Sequence, residues 1–238
     1  MRRLLAGLVD LIFPPRCTGC GRVLGDGDLP PFCPACQAKV RLLRSPLCTR
    51  CGAPFDGGDA DHLCGACLTD PPGFTLARSV GRYESVLLDA IHRFKYGGDA
   101  ALGRALGRFM TRHPCPGLKI DADTRIIPVP LHVNRLRERG FNQALILARE
   151  LARPGGQTVD FLSLKRRHAT GPQVSLGRAD RRRNIRGAFV VTRPERIAGR
   201  KILLVDDVYT TGSTVGECAR VLMAHQAAEV AVLTLARA

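Results

Sequence analysis

KILLVDDVYTTGST, residues 201–214, sets four apolar residues against two adjacent carboxylates and a hydroxyl-rich turn. Four successive apolar positions, Ile202 to Val205, read as a strand buried on both faces, the pattern of a parallel sheet covered by helices. Asp206 and Asp207 then fall at its carboxyl end, and Thr210, Thr211, Gly212, Ser213 and Thr214 form the turn into a helix. In open parallel sheets ligands bind beyond the carboxyl ends of the strands. A helix N-terminus adds free N–H groups and a positive dipole end, which suit an anion. Acceptors beside an anion cradle fit a ligand with a diol at one end and a phosphate at the other. A purely structural reading makes Asp207 a loop acid and Thr211 or Ser213 a helix N-cap. That accounts for one hydroxyl and leaves the paired carboxylates unexplained. Two acids after a strand also suit a Walker B magnesium site, but no G-x-x-x-x-G-K-[ST] occurs in the chain.

Working outward, apolar periodicity predicts strands at 74–82, 124–130, 159–164, 188–191, 202–205 and 229–235. Helices are predicted at 85–94, 100–110, from after Gly140 to about Ala152, and at 213–224. Strands alternating with helices imply an α/β domain with a doubly wound, mostly parallel sheet. Asp70-Pro71-Pro72-Gly73 continues neither a helix nor a central strand, so a boundary is expected there. It divides the 238 residues into Met1–Pro72 and Gly73–Ala238.

The front segment repeats itself. Cys17, Cys20, Cys33 and Cys36 recur 31 residues later as Cys48, Cys51, Cys64 and Cys67. A C-x-x-C turn aims two thiolates at one point, and two such turns make a closed, tetrahedral, four-thiolate site of the kind that holds structural zinc. The spacing calls for two Zn²⁺ ions. Each half closing on itself and a cross-braced pairing both remain open. Disulfides and redox C-x-x-C chemistry fit less well, since no secretory leader or surrounding βαβ pattern is evident. Cys115 and Cys218 stand outside the repeat and read as buried apolar residues. So small a segment lacks a core of its own, and metal binding would supply its folding energy.

The formal charge of +15 is unevenly spread. Residues 125–200 hold 17 Lys and Arg against 5 Asp and Glu, whereas residues 1–72 hold 8 against 7. Arginine dominates the basic stretch, and its planar fork suits phosphate, so a polyphosphate or nucleic-acid partner is expected. Aromatic residues make up only 5% of the chain and Trp is absent, which argues against a base-stacking platform. Met1–Phe13 carries Leu4, Leu5, Leu8, Val9 and Ile12 on one side of a helix, and Asp10 interrupts any leader-like run. No apolar run approaches the ~20 residues needed to cross a bilayer. A cytoplasmic location is therefore expected.

ILLVDDVYTTGST also resembles the phosphoribosyl pyrophosphate (PRPP) signature of type I phosphoribosyltransferases. DLIFPPRCTGCG near the front, FKYGG at 94–98 and PVPLHVNRLRERGFNQALILARELA at 128–152 resemble the ComF family. So do LKRRHATGPQVSLGRADRRRNIRGAF at 164–189 and VAVLTLARA at the end. The resemblance covers essentially the full length. It implies a double zinc ribbon followed by a type I phosphoribosyltransferase-like domain. By that resemblance Asp206 and Asp207 hold the ribose hydroxyls of PRPP, residues Thr210, Thr211, Gly212, Ser213 and Thr214 wrap its 5′-phosphate, and Mg²⁺ accompanies it. The turn at Pro128–His132 contacts pyrophosphate in the related transferases, and Lys165–Arg183 takes the place of their flexible loop. His132, Arg135, Arg139, Arg166, Arg167 and Arg181 are thereby candidates for pyrophosphate or DNA. The family is associated with competence for DNA uptake and natural transformation, which implies single-stranded DNA and proteins of the competence machinery as partners. A module that binds PRPP or single-stranded DNA without turnover, and a zinc-ribbon interaction scaffold, are the alternatives.

Overall fold

The computed structural model describes residues 14–25, 31–58, 60–168 and 185–238. The helix expected over Met1–Phe13 lies outside the described residues, as do Arg178, Arg181, Arg182 and Arg183 of the basic segment. Four strands form an all-parallel sheet in the order β1 (Leu76–Arg82), β6 (Glu229–Arg237), β5 (Lys201–Tyr209), β2 (Arg125–Pro128). Alternate residues of β5 explain the run of apolar positions. Leu203 and Val205 enter one core cluster, and Ile202 and Leu204 enter another, so β5 is covered on both faces.

The first face carries α3 (Ser85–Tyr96), α4 (Ala100–Arg112) and α6 (Gln143–Ala152). In α3 the residues Val86, Leu87, Ala90, Ile91 and Phe94 recur at helical spacing and are all buried. Asp99 caps α4 by accepting from the N–H of Leu102 at 2.8 Å. Gly103 lies against the ring of Phe94, where any side chain would clash. The second face carries α7 (Ser213–Ala224) and a two-stranded antiparallel ribbon of β3 (Leu164–Arg166) and β4 (Phe189–Val191).

The two cysteine-rich halves straddle β1. Cys17, Cys33 and Cys36 pack into the first core cluster, and Cys48, Cys51 and Cys67 pack into the second. The first half ends in α1 (Pro34–Gln37), which carries Cys36, and between the halves the segment 41–43 pairs antiparallel with the outer edge of β1. Leu43 N–H donates to Val80 C=O at 2.9 Å, and Arg82 N–H to Arg41 C=O at 2.8 Å. An open sheet edge invites unwanted pairing, and here the ribbon covers it. Buried Arg78 of β1 fastens the second half by donating to Cys48 C=O at 3.2 Å, and ties it to the loop after α4 by donating to Pro116 C=O at 2.8 Å. The helix α2 (Gly65–Thr69) then leads through Asp70–Gly73 into β1.

Two expected strands differ from the structure. The run 159–164 is broken, because the Asp160 carboxylate accepts from Leu162 N–H at 3.1 Å, Ser163 N–H at 3.0 Å and Ser163 Oγ. Such an Asx turn competes with a ladder. Val159 therefore bridges only Ile126 at the β2 edge, and the strand proper starts at Leu164. The strand expected over 202–205 is longer, running to Tyr209. Its pairing with β2 stops at Pro128↔Val205, while pairing with β6 continues to Tyr209↔Arg237. Asp206 and Asp207 thus lie within β5, at the point where it loses its β2 neighbour. The short helix α5 (Val133–Arg139), which was not expected as a separate element, precedes α6. No described helix is long and apolar enough to cross a membrane.

Candidate functional site

The two cysteine sets resolve the pairing. Cys17, Cys20, Cys33 and Cys36 converge, as do Cys48, Cys51, Cys64 and Cys67, with their sulfurs within 4.8 Å of one another. Each half closes on itself. A tetrahedral ion with sulfurs at ~2.3 Å needs sulfur pairs at ~3.8 Å. Cys20 and Cys33 stand 3.8 Å apart, and Cys51 and Cys64 3.7 Å. Backbone N–H groups already point at the sulfurs, Cys33 to Cys17 Sγ at 3.3 Å and Cys64 to Cys48 Sγ at 3.3 Å. These donors favour thiolates. Arg22 holds the Cys33 thiol down to about 6, while burial pushes Cys36 up to about 12, so four full thiolates require a cation. Both sets fit structural zinc. Of the remaining cysteines, Cys218 is fully buried as expected and Cys115 only partly so.

At the sheet edge, the backbone N–H of Asp207 donates to Asp206 Oδ1 at 2.9 Å. Burial, reinforced by the Asp207 charge, pushes the Asp206 carboxyl up to about 7. Asp207 has a partner that sequence reading missed. Lys95 Nζ, near the end of α3, lies 2.9 Å from Asp207 Oδ1, and both side chains are largely buried. Burial works against the Lys95 charge, but the Asp207 carboxylate outweighs it and holds Lys95 above its ordinary value. The only sequence signal was the FKYGG segment, which carries no chemistry of its own.

The turn beyond the aspartates leaves β5 at Tyr209 and enters α7 at Ser213. Gly212 sits at φ 76°, and a side chain there would strike the Tyr209 hydroxyl. Gly212 occupies the N-cap, and no side chain caps α7. The hydroxyls of Thr211 and Ser213 instead bond each other at 2.8 Å. Thr211 Oγ1 also accepts from Ser213 N–H at 3.4 Å, so one hydroxyl does meet the helix start, from the residue before the N-cap. Tyr209 is itself braced, edge-on to Phe74 at 6.4 Å and beneath the Arg237 guanidinium at 4.3 Å. Arg237 in turn donates to Cys51 C=O at 2.8 Å. The second metal set and the turn are thus joined through two side chains. A cavity of about 460 Å³ lies between them, lined in part by Cys67, Gly73, Thr211, Gly212 and Arg220.

The arginine candidates divide. Arg166 packs over Phe189 at 5.6 Å, and burial, with Arg135 nearby, holds its guanidinium below the ordinary value. Asp206 acts on it in the opposite sense, so Arg135, Arg166 and Asp206 share one electrostatic neighbourhood. Arg139 donates to Gln143 Oε1 at 3.3 Å and lies 5.3 Å over the Tyr96 ring. His132 Nδ1 accepts from Asn134 N–H at 3.3 Å, capping α5. Arg167 is exposed just beyond β3, and Arg181 lies outside the described residues.

Comparison with known proteins supports this architecture. Residues 8–68 match the double zinc ribbon domain and residues 136–238 the phosphoribosyl transferase domain. The chain is 36% identical to DNA utilization protein YhgH of Escherichia coli O157:H7, over 71% of this chain and 75% of that protein. It is 34% identical to Competence protein F of Haemophilus influenzae, over 72% of this chain and 76% of that one. This chain belongs to the ComF family. A further ComF relative, Competence protein ComFC of Bacillus subtilis, is 31% identical over 67% of this chain and 63% of its own length.

The link from Cys51 to the turn predicts different consequences for the two metal sets. Cys48→Ser should lower the zinc content from two to one per chain and raise hydrogen exchange at Thr210–Thr214. Cys17→Ser should lose one zinc without that change. Mass spectrometry of the intact chain and of exchanged peptides reads both. Equal exchange in the two variants would contradict the link.

The partly buried Asp206 predicts a pH dependence. Folded, it keeps its proton up to about pH 7, whereas an unfolded aspartate loses it near pH ~4. The folded state then binds more protons between these values, so stability falls as pH rises from about 4 to about 7. Asp206→Asn removes this slope. Between about pH 5.5 and 8 the melting temperatures should favour the variant by a margin that grows up to about pH 7 and then levels off. Taking the difference cancels the thiolate titration common to both. A constant difference would contradict the assignment.

Proposed function

We propose that this ComF protein binds PRPP with Mg²⁺ at the open edge of β5 and serves DNA uptake in the cell. One observation carries the reading: two carboxylates stand where β5 loses β2, directly before a hydroxyl-rich turn whose helix has glycine at its N-cap. The diol of a ribose meets Asp206 and Asp207, which accept from its hydroxyls. The proton that Asp206 retains lessens the repulsion between the pair. The 5′-phosphate meets the N–H groups and hydroxyls of Thr210 to Thr214 at the positive end of α7. Arg135 and Arg166 face the same neighbourhood and supply positive charge for pyrophosphate, with His132 and Arg139 on the adjoining segment. Asp206 and Asp207 would hold the Mg²⁺ that accompanies PRPP, and the ion would offset the negative charge of the pyrophosphate. Lys95 holds Asp207 in place before the ligand arrives, and binding requires the diol to share or displace that contact.

The names of the relatives, a DNA utilization protein and two competence proteins, support the cellular role. The basic stretch at 125–200 supports a polyanionic partner, and single-stranded DNA is the form expected in that process. Without a membrane-crossing helix among the described residues, the proposed location is the cytoplasm, alongside other competence proteins. A division at Pro72/Gly73 remains our proposal for the domain boundary.

Calorimetric titration of PRPP with Mg²⁺ tests the reading. Zinc-loaded wild type should bind, and an Asp206→Asn/Asp207→Asn variant should not. Failure of the folded wild type to bind would overturn the PRPP assignment and leave nucleic acid as the ligand of the basic stretch.

A further inference from the structure

Tyr96, the last residue of α3, is 73% exposed, more than any other large apolar or aromatic side chain noted among the described residues. An aromatic ring in water at a helix end contributes little to folding. This ring is nevertheless held in place. The Arg139 guanidinium lies 5.3 Å over it, His92 meets it edge-on at 5.9 Å, and Tyr83 stands behind His92 at 6.0 Å. These groups come from three places in the chain: the residue after β1, the body of α3 and the end of α5. Arg139 is itself oriented by its bond to Gln143. The result is an aromatic and cationic surface that is held in place yet left bare by the described residues.

Its position gives it a use. Lys95, the preceding residue, is the one whose ammonium grips Asp207 at 2.9 Å. The phenol of Tyr83 lies close enough to Lys95, Asp207 and Tyr96 to be affected by each, although burial is the main force raising its pKa. The rings and the carboxylates therefore border one another. We propose that Tyr96, with Arg139, is a stacking platform for a planar nucleobase. A π-face backed by a guanidinium suits a base, since every base offers a π-face and stacking accepts any of them. The base comes from one of two sources, a free base or nucleoside, or one residue of a single strand whose phosphates meet the basic surface. The scarcity of aromatics had argued against such a platform. The fold overcomes it by gathering three of the few aromatic and imidazole rings beside one arginine.

The absence of tryptophan allows a direct test. In the full-length, zinc-loaded chain, Tyr96→Trp introduces a single indole at the proposed platform. Its fluorescence should be quenched, saturably, by adenosine or by a short oligodeoxyadenylate, and not by the same sequence in a duplex, whose bases are already stacked. Quenching by adenosine alone identifies a free base as the ligand. Much tighter quenching by the oligonucleotide identifies a strand. Tyr96→Ala should weaken binding of the effective probe by roughly tenfold or more, and Tyr96→Phe should keep it. For the strand, the salt dependence should be the same in wild type and Tyr96→Ala, because stacking releases no counterions. Unquenched indole, or equal affinity of wild type and Tyr96→Ala, would overturn the platform. The test needs no PRPP: quenching in a protein that fails to bind PRPP would sink only the PRPP reading, and PRPP binding without quenching would sink only this one.

Discussion

The burial of β5 on both faces is the constraint on which the site depends. Ile202 and Leu204 face one core, Leu203 and Val205 the other, and all four are buried. The strand is thereby fixed in register between β2 and β6. Where β2 ends at Pro128, β5 continues with only one neighbour, and two carboxylates occupy the first positions released from the ladder. Placed one pair earlier, the same acids would be enclosed between strands and two hydrophobic layers, at a cost of several kcal/mol per unpaired charge. The site is polar because the sheet becomes uneven there.

The zinc-ribbon segment is part of this arrangement rather than an appendage. Its halves pack on opposite faces, its connecting strand covers the edge of β1, and Arg78 and Arg237 reach across to its backbone. Arg237 leaves the end of β6 and meets Cys51 on one side and the Tyr209 ring on the other. Tyr209 limits the space at Gly212. Metal binding, worth ~10–16 kcal/mol in small zinc peptides, then stabilises more than the ribbon itself. It would also stiffen the wall against which the hydroxyl-rich turn rests, through Arg237 and Tyr209.

Much of this was legible in residue order. The apolar run at 202–205, the helix at 213–224 and the 31-residue cysteine repeat each rest on local periodicity, which folding leaves unchanged. The pairing of the cysteines was not legible, because spacing allows two chain paths and only packing on the two sheet faces selects one. The strand expected at 159–164 failed for a local reason, the Asp160 turn, whose side-chain bonds no hydrophobic pattern reports. Lys95, Tyr96 and Arg237 were missed because their importance lies in contacts across 112, 43 and 186 residues of sequence, to Asp207, Arg139 and Cys51. Composition is silent on stacking for the same reason. It counts aromatic residues and says nothing of where they meet.

The most direct measurement is a crystal structure of the zinc-loaded protein soaked with PRPP and Mg²⁺. The account predicts the ribose diol on Asp206 and Asp207, the 5′-phosphate over the start of α7 within reach of Thr211 to Thr214, and the Lys95–Asp207 contact shared or broken. PRPP bound away from the β5 edge, or an edge unchanged at saturating ligand, would contradict it.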